Sequence, residues 1–367
     1  MGDLKLTTNQ TSFSNLEKKY RDFAAPAVAV VISGKDMVKQ EHMVLKSIRI
    51  ETTVQPKADS FSFVISDCYD YEKSDFEFIG KEIALGKEVE IKLGYTDKLE
   101  TVFVGMITSV YADFPKGETP LLIVSGMDKS FLMMKGVHTK SWAKKKHSDV
   151  VKEIAGNYGL KTDIDATAEL KELIVQNAAN DFHFITSLAH LNHYDFFVVG
   201  KTLYFRKALT DKTPVTTLKM GMALYELSID ANLSDQIAEV VVIGYDEEKT
   251  ERIEVKVNSV TKLGSNSQTG VDIMKKISSK NKDYMYTNAG SQKEAKAIAE
   301  AAMNRRAMEL ISGSGECVGI PELRAGRYIE LEGIGKKYNT LYYLKEVVHQ
   351  VDEDGYVSQF QLGGNAI

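Results

Sequence analysis

The chain has 367 residues, enough for two or three domains that each bury their own core. With 43% hydrophobic and 26% charged residues and a formal net charge of −5, it reads as globular, without the basic footprint of a nucleic-acid binder. Cys68 and Cys317 stand far apart and in no metal-ligand spacing, so reduced, buried or semi-buried thiols in a cytoplasmically made protein are expected.

The first 20 or so residues are polar and rich in Thr, Asn and Ser, and predict a flexible or partner-ordered arm over 1–25. The longest apolar run, 23–32, is about half a membrane span, contains Pro26 and has no clear cleavage site. Neither a signal peptide nor membrane binding by the chain itself is expected. From Met43 the pattern has period two. Leu45, Ile48, Ile50 and Val54 are followed by Phe61, Phe63 and Ile65, then by runs at 88–94, 101–112 and 121–126. Each is separated from the next by turn residues, which suggests a small antiparallel barrel or sandwich, taken as a barrel over 26–132.

The character then changes. Ser148 is placed to cap a helix carrying Val150, Val151, Ile154, Ala155 and Tyr158, and Asn180 to cap one carrying Phe184, Ile185, Leu188 and Leu191. Strands at 195–199 and 202–206, turning at Gly200-Lys201, complete a middle α/β module over 133–212.

Strands of the first barrel then recur. Leu45–Glu51 matches Leu224–Asp230 at an offset of 179, which also sets Phe61 and Phe63 on Val240 and Val242. Val89–Ile91 matches Ile329–Leu331 at an offset of 240, setting Val104 on Leu344 and Ile107 on Val347. The growth in offset predicts an internal duplication. The second barrel, 213–367, would carry a helical insertion at about 250–315, with Ser291 and Glu294 as a capping box for Ala295, Ile298, Ala302 and Met303. The fold class expected is α+β: two tube-protein-like antiparallel barrels, the middle module and the insertion. A chain with two similar barrels can meet six-fold symmetry on one side and three-fold on the other, because three copies present six barrels.

Four stretches carry a family resemblance in their order and spacing: Gly105–Val110 with Val124–Asp128, His147–Leu160, Asn180–Ala189, and Leu341–Leu362 around His349. Together they resemble the phage late control D family of tail hub proteins, related to the base of secretion-system spike proteins. The resemblance implies a baseplate hub of a contractile tail or phage-tail-like injection particle. Such a hub is a homotrimer that joins the hexameric tail tube protein to a trimeric spike. The tape-measure and other baseplate proteins would be its neighbours, and it would be made in the bacterial cytoplasm and built into the particle. The sequence stops at Ile367 without a repetitive β-needle, so the spike is expected to be a separate protein.

Chemistry finds little purchase. His183, His190 and His193 with Asp195 suggest a metal site only loosely, because the spacing does not gather them. His349 reads as a strand-face residue. Gly313–Gly319 lacks the context and the Lys-Ser/Thr ending of a phosphate loop and reads as a flexible link. Lys140 and Lys144–Lys146 beside Trp142 read as a solvated loop or subunit contact rather than a nucleic-acid site. No catalytic, cofactor-binding or metal residue is assigned, and no enzyme activity is expected. The alternative reading is a tail-tip cell-wall hydrolase or effector on a hub-like scaffold.

Overall fold

A computed structural model describes residues 4, 6, 9–167, 169–247, 249–278 and 280–367. Helix α1 (Phe13–Lys19) leads into strands β1 (Pro26–Ile32), β2 (Lys35–Asp36), β3 (Val44–Thr53), β4 (Ser60–Ser66), β5 (Tyr69–Asp70), β6 (Asp75–Phe76), β7 (Glu88–Tyr95), β8 (Lys98–Asp113) and β9 (Leu121–Met127). The middle comprises β10 (His138–Lys145), α2 (His147–Asn157), β11 (Lys161–Ile164), β12 (Lys171–Ala179), α3 (Asp181–Asn192), β13 (Tyr194–Val199) and β14 (Thr202–Lys207). Then come β15 (Pro214–Lys219), β16 (Leu224–Ala231), β17 (Glu239–Asp246), β18 (Glu251–Val257), α4 (Gly270–Ile277), β19 (Lys282–Tyr286) and α5 (Gln292–Ala307). The chain closes with β20 (Ile311–Val318), β21 (Tyr328–Glu332), β22 (Leu341–Asp352) and β23 (Gly355–Gly364). This is an α+β fold dominated by strands.

The organising element is one 13-stranded sheet, ordered β16-β20-β23-β22-β3-β4-β9-β8-β7-β1-β2, with β21 and β15 branching from β22. Its strand order repeats. The pairings β3–β4, β4–β9, β9–β8, β8–β7 and β7–β1 recur in sequence order as β16–β20, β20–β23, β23–β22, β22–β21 and β21–β15. Only the last differs in sense, β1 being antiparallel to β7 and β15 parallel to β21. The two series are joined where β22 pairs with β3.

Bulges fix the register between the two series. One lies in β8 between Ile107 and Ser109, and its counterpart in β22 between Leu344 and Glu346. Following the pairings outward from the bulges sets Ile48 opposite the same position as Leu227, the offset expected from the sequence. It sets Ile107 on Leu344, three residues from the expected Val347. The β7–β8 turn is tight at Thr96-Asp97, whereas β21 and β22 are joined by the longer loop 333–340, so residue count along this hairpin is not kept.

Two other expectations are corrected. Val240 and Val242 do not correspond to Phe61 and Phe63. They lie on β17, the centre of a separate sheet β18-β17-β19 packed on α5. The positions of Phe61 and Phe63 are held by Gly313 and Gly315 on β20, so the run read as a flexible link is a strand of the main sheet. Half-buried strands all share period two, so the wrong valines aligned as readily as the right glycines. The insertion accordingly spans β17 to α5, 239–307, between β16 and β20, and holds three strands as well as its two helices.

The N-terminal segment is not a free arm. Leu16 and Tyr20 are fully buried in the main core, and the Tyr20 ring packs against Phe23 and Tyr95. Phe13, Leu16 and Tyr20 recur at helical spacing and give α1 an apolar stripe. In the middle module, Trp142, Val150, Val151, Ile154, Phe182, Ile185 and Phe205 form a second core. Asn180 caps α3, its Oδ1 accepting from His183 N at 2.8 Å. Helix α2 begins two residues earlier than a Ser148 cap would place it: its N-cap is Lys146, with Asp149 accepting from Lys146 N at 3.1 Å, while Ser148 is buried against Thr167.

Candidate functional site

The densest polar construction lies around residues 319–327, the link from β20 to β21. Its residues reach the first series of strands, the middle module and the N-terminal segment. Arg324 donates through Nη2 to Asp59 and through Nη1 to Val102 O at 3.0 Å, both in the first series of strands. Ala325 N donates to Thr52 Oγ1 at 3.1 Å. From the middle module, Arg206 donates to Gly326 O at 2.5 Å. From the N-terminal segment, Tyr20 Oη and Lys19 Nζ both donate to Glu322 Oε1 at 2.8 Å. Tyr95 Oη donates to Gly319 O at 2.9 Å.

A second carboxylate backs the Arg324–Asp59 pair. Asp128 Oδ2 accepts from Asp59 N at 2.8 Å, and Asp59 Oδ1 accepts from Thr53 N at 2.8 Å. Burial raises both carboxyls, and the Arg324 guanidinium opposes that rise. His349 completes the joint. Its Nε2 donates to Leu323 O at 3.0 Å, so Nδ1 is the acceptor facing Ser358 Oγ at 3.0 Å and Tyr356 Oη at 2.9 Å. Burial lowers this imidazole to about 4, which keeps it neutral. The group therefore acts as a structural tie of β22 to the link, in keeping with a strand-face residue. Sequence spacing carries no signal for this joint, because Arg324 and Asp59 are 265 positions apart.

The histidines are only partly gathered. His183 sits at the exposed start of α3 with Nδ1 2.8 Å from Asn180 Nδ2. His190, His193 and Asp195 line a cleft of about 470 Å³ with Arg305, Tyr343 and Lys345. His193 takes the left-handed cap of α3, with φ 54°. Burial first, then the Arg305 charge, lowers His193 to about 4 and lowers His190 as well. Asp195 lies beside Arg206, at 3.8 Å. Among the described residues, no group of three or more His, Cys, Asp or Glu is placed to hold a metal ion. Cys68 and Cys317 are both free and buried.

Two lysines of the lysine-rich segment share one carboxylate. Glu153 accepts from Lys140 at 2.8 Å, Lys145 at 2.5 Å and Trp142 Nε1 at 2.9 Å, and these bonds hold its carboxyl at about 2. The Trp142 ring stacks on Phe184 at 5.6 Å and is buried, so it offers no face to a base.

This geometry distributes buried polar bonds over a joint between repeated sheets and aims them at other parts of the same chain. Comparison with known families then gives a match over residues 24–353 to the Alg8 N-terminal domain. The chain belongs to the Alg8 N-terminal domain family. No curated protein matches it. Solved structures show what fold this Alg8 N-terminal domain family member has. A 43 kDa tail protein of prophage MuSo2 from Shewanella oneidensis superposes with a TM-score of 0.69 at 12% identity, over 92% of this chain and 98% of that one. A tail protein from Neisseria meningitidis gives a TM-score of 0.66 at 15% identity, over 92% of this chain and 96% of that one. An E. coli component of the type VI secretion system, described as similar to T4 bacteriophage tail proteins, gives 0.58 at 11%, over 92% of this chain and 77% of that one. The fold is that of phage tail proteins. No helix among the described residues is long and apolar enough to cross a membrane.

Proposed function

We propose that this chain is a structural baseplate hub of a contractile tail or phage-tail-like injection particle. Three copies form a ring that receives the hexameric tube on one face and a trimeric spike on the other, and the chain's work is assembly rather than catalysis. The observation that carries this reading is the strand order repeated within one chain of tail-protein fold. Two tube-like units per chain give a trimer six similar faces, and an insertion present in only one unit reduces that six-fold arrangement to three-fold. The late control D resemblance of the sequence and the tail and secretion-system neighbours of the fold support the same reading. The polar joint at 319–327 would then hold the two units of one chain at a fixed relation.

The test is reconstitution. The chain is co-expressed with tube and spike proteins of a contractile tail from the same source, and the complex is weighed and imaged. Three copies of the chain between a six-fold tube and a three-fold spike are expected. A chain that binds neither protein, or does so at another stoichiometry, refutes the proposal. Release of muropeptides from peptidoglycan, abolished by one acidic substitution, would favour the hydrolase instead.

A further inference from the structure

Strands β3 and β16 hold equivalent places in the two series, yet their outer edges differ. β3 is covered: β22 runs antiparallel along it, with Val347 opposite Thr52, Val348 opposite Glu51, His349 opposite Ile50 and Gln350 opposite Arg49. β16 ends the sheet, and no described strand lies on its outer side. The counterpart of β22 is β8, and the matching stretch of β8 is open too. Beyond Ile107, which still bonds Gly86 and Lys87, no described strand lies on the side of β8 where β7 ran. One chain thus carries a finished junction and two halves of an unfinished one.

Burial marks the difference. At the finished junction the core-facing residues Ile50, Thr52, Val347 and His349 are at most 1% exposed. Their counterparts Ile229, Ala231, Val110 and Ala112 are half-buried or exposed, with Val110, Ala112, Leu227 and Ile229 lying at the rim of the main core. Tyr111, on the outer face, is 56% exposed. Two open edges with half-finished apolar rows are a liability that a folded protein covers.

We infer that β16 of one copy pairs with residues 109–113 of β8 in a second copy, in the register that β22 takes on β3. Carried over through the matched bulges, that register sets Val110 opposite Ala231, Tyr111 opposite Asp230, Ala112 opposite Ile229 and Asp113 opposite Ser228. The occupant is a second copy of this chain because the template for the junction is the chain's own β22–β3 pairing. Each copy has one edge of each kind, so the contact is head-to-tail, and in the three-copy hub proposed above it closes into a ring. This inference rests on the hub reading and adds to it the strands and residues through which copies meet.

The experiment uses the full chain carrying Tyr111→Cys and Asp230→Cys together, both at exposed positions. Residues directly opposite in antiparallel strands lie within disulfide reach. On oxidation, covalent species of two and three copies are expected on a non-reducing gel. They should be absent from each single variant and at least tenfold weaker for Asp113→Cys with Asp230→Cys, which is out of register. The mass of the unmodified chain is measured in parallel, alone and with its tube and spike neighbours. A trimer by mass without the cross-link overturns this pairing and leaves the hub reading standing. A chain that is monomeric and uncross-linked in every condition overturns both. Melting curves of the variants, expected to match the parent, exclude misfolding as the cause of a missing band.

Discussion

Arg324 donates to Asp59 across 265 positions of sequence, binding the link between β20 and β21 to the start of β4. Both side chains are under 10% exposed, and Asp128 lies behind Asp59. Arg324→Met would leave two buried carboxyls with no cation. A loss of about 3–5 kcal/mol in urea unfolding is expected, the usual result of removing one partner of a buried pair. Burial raises the Asp59 carboxyl even with Arg324 present, so the variant should bind protons more readily folded than unfolded. Its stability should therefore rise as pH falls from 8 towards 5. The rise should be steeper than in the parent protein, where the guanidinium opposes it; an equal slope would show that Arg324 does not govern this site.

Gly126 admits no side chain. A Cβ built there would lie 2.1 Å from Met106 O and 2.5 Å from the Phe61 ring. Gly126→Ala should cost about 1–3 kcal/mol through overpacking. Adding Phe61→Leu should not recover it, since the nearest atom is a backbone carbonyl. Equilibrium unfolding of the single and double variants checks both statements.

His349 gives the fold an acid limit. Its folded-state value is lowered to about 4, against 6.5 for an unperturbed imidazole. The contribution is fully present above about pH 6.5 and is lost as pH falls towards 4, because only the unfolded chain takes up the proton. By pH 4 the loss is on the order of 3 kcal/mol. His349→Gln should flatten stability between pH 6.5 and 4 while lowering it at pH 7.

Tyr20 anchors the N-terminal helix. It is fully buried, and its hydroxyl donates to Glu322. Tyr20→Ala should cost about 3–5 kcal/mol, and Tyr20→Phe only about 1 kcal/mol, since Lys19 still bonds the same carboxylate oxygen. A free arm would give no loss with either change.

The sequence made legible what local pattern controls. The strands at 88–95 and 121–127, the hairpin at Gly200-Lys201 and the Asn180 cap all follow from alternation, turn chemistry or capping. The repeat was visible where apolar side chains keep their positions, as Ile48 and Leu227 do. It was hidden where bulk crosses between strands: Phe61 faces Gly126 in one series, and Leu362 faces Gly313 in the other. That exchange preserves packing and erases the residue match. The α1 stripe of Phe13, Leu16 and Tyr20 has helical spacing, but the polar residues around it dominate the composition of the segment. The joint at Arg324, Asp59 and His349 could not be read, since it exists only after the two series meet.

The β22–β3 junction has a further consequence for how the protein is made. Residues 48–53 emerge from the ribosome almost three hundred residues before their partners at 346–351. Until then the edge of β3 stays bare on the nascent chain, and the contact that closes it is among the most distant in sequence. Formation of the first half therefore waits on synthesis of the last, which predicts slow completion and a long window for nascent-chain binding factors.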